Sequence, residues 1–268
     1  MATLQLVGAS WTMCTRRSAP LPVEYSAPRG ELVVTAPVVV FGRIHVLPVV
    51  TEFSQAFPDV NVHLALGDRI VNLLDDHVDL ALRIGVLSDS GLVATNLGSI
   101  RRVVCASPAY LVEHGTPRDP HDLEAHRCVS FELFAPASTW RFQVDQTQLI
   151  VPIHPRLTVS TAEAAIDAAI AGLGVTCVLS YQVESALRAG ALTLLLESFE
   201  PAPLPVSFLY SSQGRLPLKL RALLDFAAPR LRARLRKAQA ALTSPQRSTL
   251  SKRVARRQRE HQQPPPTA

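Results

Sequence analysis

The sequence predicts an α/β protein of two domains that the chain connects twice, in the manner of a clamshell. Predicted strands and helices alternate between residues 30 and 235, a pattern typical of parallel sheets covered by helices. Two apolar strand-like runs, at 100–106 and 204–210, stand where the chain could leave the first domain and later return. Residues 30–243 provide room for two domains of about 100 residues each.

The first domain is predicted from a strand–helix–strand–helix–strand series, which builds a parallel sheet. The predicted elements are strands at 31–36, 60–66 and 78–84 and helices at 43–57 and 68–77. Pro37 ends the first strand and Pro58 stops the first helix. Pro48 is tolerable only near the first turn of that helix, because proline lacks a backbone N–H.

A second series of elements predicts the other domain and the return to the first. The predicted elements are strands at 100–106, 128–131, 156–159, 175–179 and 192–195, a hairpin across 140–151, and helices from Thr161 and Tyr181. The chain then returns through a strand at 204–210 to a last helix that starts at Lys219 and carries a leucine stripe. Because Pro229 falls inside this stripe, we expect a kink or an early end there.

The net charge of +5 comes from the end of the chain. Six basic residues and one acidic residue lie in 244–268, so the preceding part holds 21 basic and 21 acidic residues. That part therefore has no net electrostatic attraction to nucleic acid. We expect residues 1–29, with their three prolines, to be an irregular lead-in and residues 244–268 to be a basic disordered tail.

Hydropathy and cysteine usage favour a cytoplasmic protein. No apolar stretch reaches the ~20 residues of a membrane helix, and the first residues lack the features of a secretory signal. The four cysteines are far apart and form no Cys-x-x-Cys motif. We expect them to act as small hydrophobic residues in a reducing compartment.

Several residues follow predicted strands, at the edge where open α/β sheets bind ligands. Candidates to line a cleft at this edge are Thr35, Pro37, Val38, Thr95 and Ser107, with Arg83-Ile84-Gly85 ending another strand. Ser160-Thr161-Ala162-Glu163 predicts a capping box with Ser160 as the N-cap. This helix start is either a structural cap alone or also an anion site, because its N–H groups and dipole favour negative charge.

The sequence contains no motif that predicts catalysis. The acidic cluster Asp75-Asp76-His77-Val78-Asp79 lacks a second set of metal ligands and is interpreted as a solvated helix end. No His-x-x-x-His pair, nucleophile elbow, P-loop or dinucleotide fingerprint occurs. We therefore expect no metal, no cofactor and no enzymatic activity.

Over residues 30–235 the chain resembles the effector-binding region of LysR-type transcriptional regulators. The resemblance rests on five segments in the family's order and spacing, which are Gly-Glu-Leu-Val-Val-Thr-Ala-Pro (30–37), Val-Asp-Leu-Ala-Leu-Arg-Ile-Gly (78–85), Arg-Arg-Val-Val-Cys-Ala-Ser-Pro-Ala-Tyr-Leu (101–111), Ser-Thr-Ala-Glu-Ala-Ala-Ile-Asp-Ala-Ala-Ile-Ala-Gly-Leu-Gly-Val (160–175) and Leu-Pro-Val-Ser-Phe-Leu-Tyr (204–210). It implies two Rossmann-like subdomains joined by two crossing strands, the type-2 periplasmic-binding-protein clamshell. The implied crossing strands are 101–106 and 205–211, with subdomain I at 30–103 plus 207–236 and subdomain II at 104–206.

The resemblance also implies a site, because family members hold a small, often anionic, effector between the subdomains. The implied effector-binding residues are Pro37, Val38, Val40, Thr95, Phe131, Ser160, Thr161 and Ser180. The first turn departs from the family, since Val38-Val39-Val40 stand where a hydroxyl residue is frequent. Ser180 stands where many members have proline. We therefore expect one pocket hydroxyl to be absent from the first turn.

In the family, subdomain I pairs with its copy through the first and last helices. The implied interface residues are Val49, Val50, Phe53, Leu223, Leu224 and Phe226, in a homodimer or in a heterodimer with a full-length relative. Family members read DNA with an N-terminal winged helix-turn-helix, which 29 proline-interrupted residues cannot hold. We therefore expect a truncated regulator that reaches DNA only indirectly.

Two other functions stay open at this point. A periplasmic solute-binding protein would have the same fold, but it needs a signal peptide. An enzyme on this fold would need a paired acid and base that face the cleft.

Overall fold

The computed structural model describes residues 27–37, 39–67, 77–86, 91–131, 138–211 and 216–243. The strands are β1 (Gly30–Ala36), β2 (Val60–Leu66), β3 (Leu80–Ile84), β4 (Leu92–Ile100), β5 (Arg102–Ala106), β6 (Cys128–Phe131), β7 (Thr139–Val144), β8 (Thr147–Pro152), β9 (Pro155–Val159), β10 (Val175–Leu179), β11 (Thr193–Leu195) and β12 (Leu204–Ser211). The helices are α1 (Val39–Phe41), α2 (Leu47–Ala56), α3 (Pro108–His114), α4 (Ala162–Ile170), α5 (Glu184–Arg188) and α6 (Leu218–Thr243). A π-helical turn, Gly42–Val46, links α1 to α2, and 3-10 turns occupy Pro120–Ala125, Ser180–Gln182 and Glu197–Phe199.

The first sheet has the strand order β2–β1–β3–β12–β4. The three strands β1, β2 and β3 are parallel, and β12 runs antiparallel to both β3 and β4. Alternate residues of β1, such as Leu32 and Val34, are buried against Phe53 of α2 and Leu231 of α6. This one-sided apolar burial sets the strand register, because a slip by one residue would turn every apolar side chain away from the helices.

The second sheet has the strand order β11–β5–β10–β6–β9. Here β6, β9 and β10 are parallel, and β5 is antiparallel to β10 and β11. One face packs on α4 through Ala165 and Ile166, and the other packs on Tyr110 of α3 and on Trp140 of the β7–β8 hairpin. The predicted hairpin is therefore confirmed, and it closes a core.

The chain crosses between the two sheets twice, as predicted. It crosses first at Arg101, between the end of β4 and the start of β5, and again between Leu195 and Leu204. The subdomain boundaries differ slightly from the prediction, since residues 102–103 lie in the second sheet and residues 204–206 in the first. The boundaries follow from which strands are hydrogen-bonded to each other, and the apolar pattern of the sequence contains no information on that pairing.

Strand β4 was absent from the sequence-based elements. Its burial alternates poorly, and the polar residues Thr95, Asn96 and Ser99 interrupt its apolar residues. It is held by pairing with β12 along its whole length and by packing of Leu97 into the core under α6. Long-range contacts therefore create a strand that local sequence does not predict.

Some predicted segments lie outside the described residues. These are Val38, most of the predicted 68–77 helix with Asp75 and Asp76, residues 1–26 of the lead-in, and the 244–268 tail. Residues 27–29, the described part of the lead-in, form neither helix nor strand. Within the described residues, no helix combines the length and the apolar composition that crossing a membrane requires.

The first helix accommodates Pro48 by a contact from the other end of the chain. The helical segment already starts at Val39 and passes through the π-helical turn, so Pro48 lies inside it. Proline has no N–H to donate to the carbonyl four residues earlier. That carbonyl belongs to Ile44, and it accepts a hydrogen bond of 2.9 Å from Arg234 Nη2 of α6. Pro48 also stands in the first turn of α2, as the sequence requires, and the bond from Arg234 ties this turn to α6.

The last helix continues past Pro229 for more than three turns. Helix α6 is 26 residues long, so of the two expectations for Pro229, a kink or an early end, the early end is wrong. Leu231 and Leu235, on the far side of the proline, are 1% and 3% exposed in the first core. Burial of this stripe outweighs the roughly 3 kcal/mol that proline costs inside a helix.

The structure corrects most of the predicted dimer residues. Val49, Val50, Phe53 and Leu223 are all buried in the protomer's own core. Val49, Phe53 and Leu223 are at most 1% exposed and Val50 is 8% exposed, so they have little surface to bury against a partner and serve folding. Leu224 and Phe226 are only partly buried and keep surface for a partner.

We predict that Gly174 is required for the second sheet to form. A Cβ atom at this position would lie 2.2 Å from the backbone oxygen of Arg127, whose carbonyl also accepts the Val175 N–H at 2.9 Å. Gly174→Ala should lower the free energy of unfolding by about 1–3 kcal/mol or more, as overpacking does. Urea denaturation measures the change.

Gly67→Ala is the matched control for this prediction. A Cβ atom at Gly67 meets no described atom within 4 Å, so stability should change by no more than about 0.5 kcal/mol. Equal effects of the two substitutions would show that the contact between Gly174 and Arg127 does not limit stability.

Candidate functional site

The parallel strands of both sheets end at the place where the chain crosses between them. In the first sheet, Gly85 follows β3 and donates its N–H to Pro205 O at 2.9 Å, beside the start of β12. In the second, Leu179 at the end of β10 pairs with Arg102. The carboxyl ends of β3 and β10 therefore both lie beside the crossing, and open α/β sheets bind ligands at such ends.

The first wall of this candidate site carries a buried hydroxyl and a guanidinium. Thr35, near the end of β1, is 4% exposed. Its Oγ1 accepts a hydrogen bond of 3.3 Å from Arg83 Nη1, at the end of β3. Arg83 also donates to Leu82 O at 3.3 Å, and burial lowers the pKa of its guanidinium. The wall therefore presents one desolvated cation.

The second wall gathers four of the predicted residues. Phe131 is the last residue of β6, Ser160 and Thr161 follow β9, and Ser180 follows β10. Because these strands are adjacent and parallel in the order β10–β6–β9, their ends share one edge. Ser180 is buried, and its backbone N–H donates to Arg101 O at 2.9 Å. The wall is thereby tied to the crossing.

The helix start in this wall is shifted by one residue from the prediction. Helix α4 begins at Ala162 and its N-cap is Thr161, whose Oγ1 accepts the Ala164 N–H at 3.3 Å. Ser160 is therefore not the N-cap, and Glu163 stands one position too early to complete a capping box. The helix ends as predicted, at Gly172 with a left-handed φ of 85°.

Other predicted residues are placed less closely together. Pro37 directly follows β1 and Val40 lies in α1, and both are half-buried. Thr95 lies in β4 and pairs with Phe208 of β12. The two side chains lie on the same face of the first sheet, opposite the face that carries Thr35. Val38 lies outside the described residues.

The remaining sequence candidate, Ser107, has a structural partner. Its Oγ accepts the Tyr110 N–H at 3.3 Å, and it caps α3. It is 3% exposed at the opposite end of β5 from the crossing.

A bidentate ion pair joins the two crossing segments. Arg101 Nε and Nη2 each lie 2.6 Å from an oxygen of Glu200, and Nη2 lies 3.1 Å from Glu197 Oε2. Both glutamates belong to the segment that returns from β11 to β12. The hydrogen bond to Glu200 is the main cause that raises the pKa of Arg101. Sequence reasoning missed this contact, since its partners are about a hundred residues apart.

The two sheets also meet through an aromatic contact beside the crossing. Tyr181, which follows Ser180, lies with its ring 5.3 Å from Phe41 and 5.9 Å from His45 of the first domain. His45 is 5% exposed, and neither of its ring nitrogens has a hydrogen-bond partner among the described residues. Burial, with a contribution from Arg234, lowers its pKa to about 4. The imidazole is therefore neutral at physiological pH.

The described residues hold no group of three or more His, Cys, Asp or Glu side chains placed to bind a metal. Burial raises the pKa of Cys128 and of Cys177 to about 12 and raises that of Cys105 as well. These thiols stay protonated, which is the behaviour expected of small apolar residues.

Two α/β lobes, a double crossing and facing strand ends define a two-lobed ligand-binding fold of the periplasmic-binding-protein type. The family profile of the LysR substrate binding domain matches residues 26–232 of the chain. The protein belongs to this family of LysR-type regulators, and the resemblance noted in the sequence is confirmed.

Curated relatives agree with this assignment. The chain is 34% identical over 190 residues to the HTH-type transcriptional regulator CrgA of Neisseria meningitidis, covering 70% of this chain and 63% of CrgA. It is 31% identical over 201 residues to the probable HTH-type transcriptional regulator LtrA of Klebsiella pneumoniae, covering 74% of this chain and 65% of LtrA. The chain thus spans a little under two thirds of the length of these relatives.

Solved structures show the same fold. The structure of CrgA from Neisseria meningitidis superposes with a TM-score of 0.65 at 31% identity, covering 76% of this chain and 69% of CrgA. The full-length virulence activator AphB of Vibrio cholerae gives a TM-score of 0.66 at 24% identity, covering 75% of this chain and 69% of AphB, which supports the fold alone.

We predict that the ion pair at the crossing stabilises the protein more than a surface pair does. Arg101→Gln leaves Glu200, whose side chain is 12% exposed, without its bidentate partner. The free energy of unfolding should fall by about 1–3 kcal/mol, the range for a charged hydrogen bond lost from a partly buried group. Urea denaturation of Arg101→Gln, Glu200→Gln and the double variant measures the coupling.

Arg188→Gln is the matched control, since Arg188 is 68% exposed and pairs with Glu184 four residues away in the sequence. An exposed pair of this kind contributes at most about 0.5 kcal/mol. If Arg101→Gln lowers the free energy of unfolding by no more than Arg188→Gln does, the proposed role of Arg101 is refuted.

We predict that His45 makes stability fall with acidification between about pH 6.5 and pH 4. In the unfolded chain the imidazole takes up a proton near its ordinary pKa of 6.5, whereas burial lowers the folded pKa to about 4. The unfolded state therefore binds more protons in this window, and stability declines as pH falls through it. Below about pH 4 His45 is protonated in both the folded and the unfolded state, so it causes no further loss of stability.

The contribution of His45 is on the order of 2–3 kcal/mol over that window. His45→Phe, which keeps a ring against Phe41 and Tyr181, should flatten the decline in urea midpoints between pH 7 and pH 4. His121→Phe is the control for loss of one exposed imidazole, since the His121 side chain is 60% exposed. An unchanged pH profile in His45→Phe would exclude His45 as a source of acid sensitivity.

Proposed function

We propose that this protein is the effector-sensing domain of a LysR-type transcriptional regulator and binds a small molecule between its two lobes. The observation that carries the proposal is the meeting of both sheets' carboxyl ends at the Arg101 crossing. Thr35 and Arg83 stand on one wall, and Ser160, Thr161 and Ser180 stand on the other. Family membership supports the same function.

Binding would act by changing the angle between the lobes. A ligand that contacts both walls binds the closed form better than the open form, and this difference shifts the population toward closure. The described chain passes between the lobes at Arg101 and at the short 196–203 segment. A rotation at these two places would move the walls, and it would also shift the packing of Tyr181 against the first core and of Leu242 of α6 against the second.

The domain binds its effector and does not convert it, in this proposal. Both CrgA and LtrA are described as transcriptional regulators. The same comparison favours a cytoplasmic location, where transcription takes place, over a periplasmic solute-binding role. No cofactor is part of the proposal.

The domain pairs with a second regulatory domain in this proposal, in a homodimer or with a full-length relative. Leu224 and Phe226 of α6 are the predicted interface residues that keep exposed surface, and Leu47 of α2 is 43% exposed. In this proposal the regulatory domain itself does not contact DNA and acts through the DNA-binding parts of the assembled regulator.

A thermal-shift screen of small metabolites, charged and neutral, tests the sensing function. A ligand at 100-fold above its dissociation constant adds about 2.7 kcal/mol of stability to the state that binds it. We expect at least one compound to raise the melting temperature. Ser180→Ala should weaken binding of that compound, because Ser180 lies buried in the second wall.

Ser185→Ala is the matched control, since Ser185 is an exposed serine on α5. Binding that responds equally to both substitutions would place the ligand outside the cleft. A screen in which no compound stabilises the protein would count against the sensing function itself.

A further inference from the structure

We propose that the end of helix α6 is a latch that holds the two lobes at a fixed angle. The latch is the contact of Leu242 with the second lobe, made from a helix that otherwise belongs to the first. This inference goes beyond the sensing function, since it concerns the protein without a ligand. The connecting part of α6 also lies past residue 232, where the match to the family profile ends.

Most of α6 is anchored in the first lobe. Leu231 and Leu235 are buried in the first core. Leu235 packs on β4, where a Cβ atom added to Gly98 would lie 3.3 Å from Leu235 Cδ1. Arg232 donates from Nε and Nη2 to Asn96 O of the same strand, at 3.1 and 2.9 Å. The helix therefore runs along β4, the strand that leads into the first crossing.

A polar side chain ties α6 to the last residues of β4, beside the crossing. Gln239 Nε2 donates to Ser99 O at 2.6 Å and to Ser99 Oγ at 3.1 Å. Ser99 stands two residues before Arg101, where the chain first leaves the lobe. Because Gln239 follows Leu235 by four residues, both side chains lie on the same face of the helix. The helix is therefore still bound to the first lobe where it passes the crossing.

Beyond Gln239 the helix reaches the second lobe. Leu242 is 3% exposed and belongs to the second core, together with Val183, Ala186 and Leu187. Ala186 and Leu187 lie in α5, which contacts α6. Leu242 stands three residues after Gln239, which places it about 4.5 Å further along the helix axis. Both lobes therefore hold the same helix within a single turn.

A rotation between the lobes has to move or release this contact. A single helical turn is stiff, because its own backbone hydrogen bonds close it. Rotation of the second lobe about the crossing would therefore draw α5 away from Leu242 or slide α5 along the helix. Exposing a buried leucine to water is unfavourable, so the contact favours the lobe angle at which it forms. In the proposed function, on which this last step rests, the latch sets how much a ligand must contribute to change that angle.

The test measures the distance between the lobes in the full chain without ligand. Spin labels are placed on the exposed positions Ser54→Cys of α2, in the first lobe, and Val112→Cys of α3, in the second. Cys14→Ser removes a competing thiol, and the other native cysteines are buried or half-buried. An excess of unlabelled protein makes distances within one protomer dominate. Pulsed electron paramagnetic resonance then gives the distribution of distances between the labels.

Leu242→Ala should broaden this distribution or shift its mean by about 2–5 Å, the range from a small helix shift to a one-turn step. The reason is that alanine is too short to fill the site against α5. Leu242→Met, which nearly conserves the side-chain volume, should keep the wild-type distribution. Leu242→Val should give an intermediate change, and it carries the test if Leu242→Ala does not fold.

Leu235→Ala is the matched control for loss of a buried leucine from α6. Leu235 is 3% exposed, as Leu242 is, but it belongs to the first core. Its replacement should lower the melting temperature, because it leaves a cavity in that core. The distribution of distances between the lobes should remain that of wild type.

The outcomes separate the latch from the sensing function. A wild-type distribution in both Leu242→Ala and Leu242→Val would overturn the latch. Equal changes in Leu242→Ala and Leu235→Ala would overturn it as well, because they would report lost stability and not a contact between lobes. Either result leaves the sensing function to the metabolite screen, and a screen without any ligand leaves the distance measurement to decide the latch.

Discussion

The structure depends on the ion pair between Arg101 and Glu200, because it joins the two segments through which the described chain passes from one lobe to the other. One residue on the first segment holds a carboxylate on the second in a bidentate geometry, with both N–O distances at 2.6 Å. A planar guanidinium fixes direction as well as distance. The two segments therefore act as one joint. The ion pair fixes the position of one segment relative to the other, and with it the position of the two walls.

The joint explains why the candidate site lies where it does. Each sheet runs its parallel strands toward the crossing and sends one antiparallel strand away from it, β12 in the first lobe and β5 in the second. Residues at the carboxyl ends, such as Thr35, Arg83 and Ser180, are consequently brought to the edges of the two sheets that lie on the side of the crossing. The site is a product of topology more than of any local motif.

The two walls differ in chemistry, and this difference bears on what they recognise. The first presents a desolvated guanidinium beside a buried hydroxyl, whereas the second presents hydroxyl groups at the start of α4 and after β10. In the proposed function, a ligand that contacts both walls favours the closed form, so its recognition and the closure depend on the same contacts.

Much of the fold was determined by sequence alone, because apolar periodicity reports burial directly. The parallel strands, the hairpin, the stripe of α6 and the Thr161 helix start follow from local patterns, and the five ordered segments identify the family. The family resemblance also pointed to Phe131, Ser160, Thr161 and Ser180, which lie at the ends of strands that turned out to be neighbours.

Tertiary structure decided the features that depend on contacts between distant residues. Strand β4 exists because β12 pairs with it, Pro48 and Pro229 are accommodated by packing and by Arg234, and Val49, Val50, Phe53 and Leu223 are core residues instead of interface residues. The partners of Arg101 and the lack of an acidic partner for Arg83 among the described residues are likewise visible only in three dimensions. Apolar patterning records which residues are buried, but it carries no information on which buried or charged groups meet.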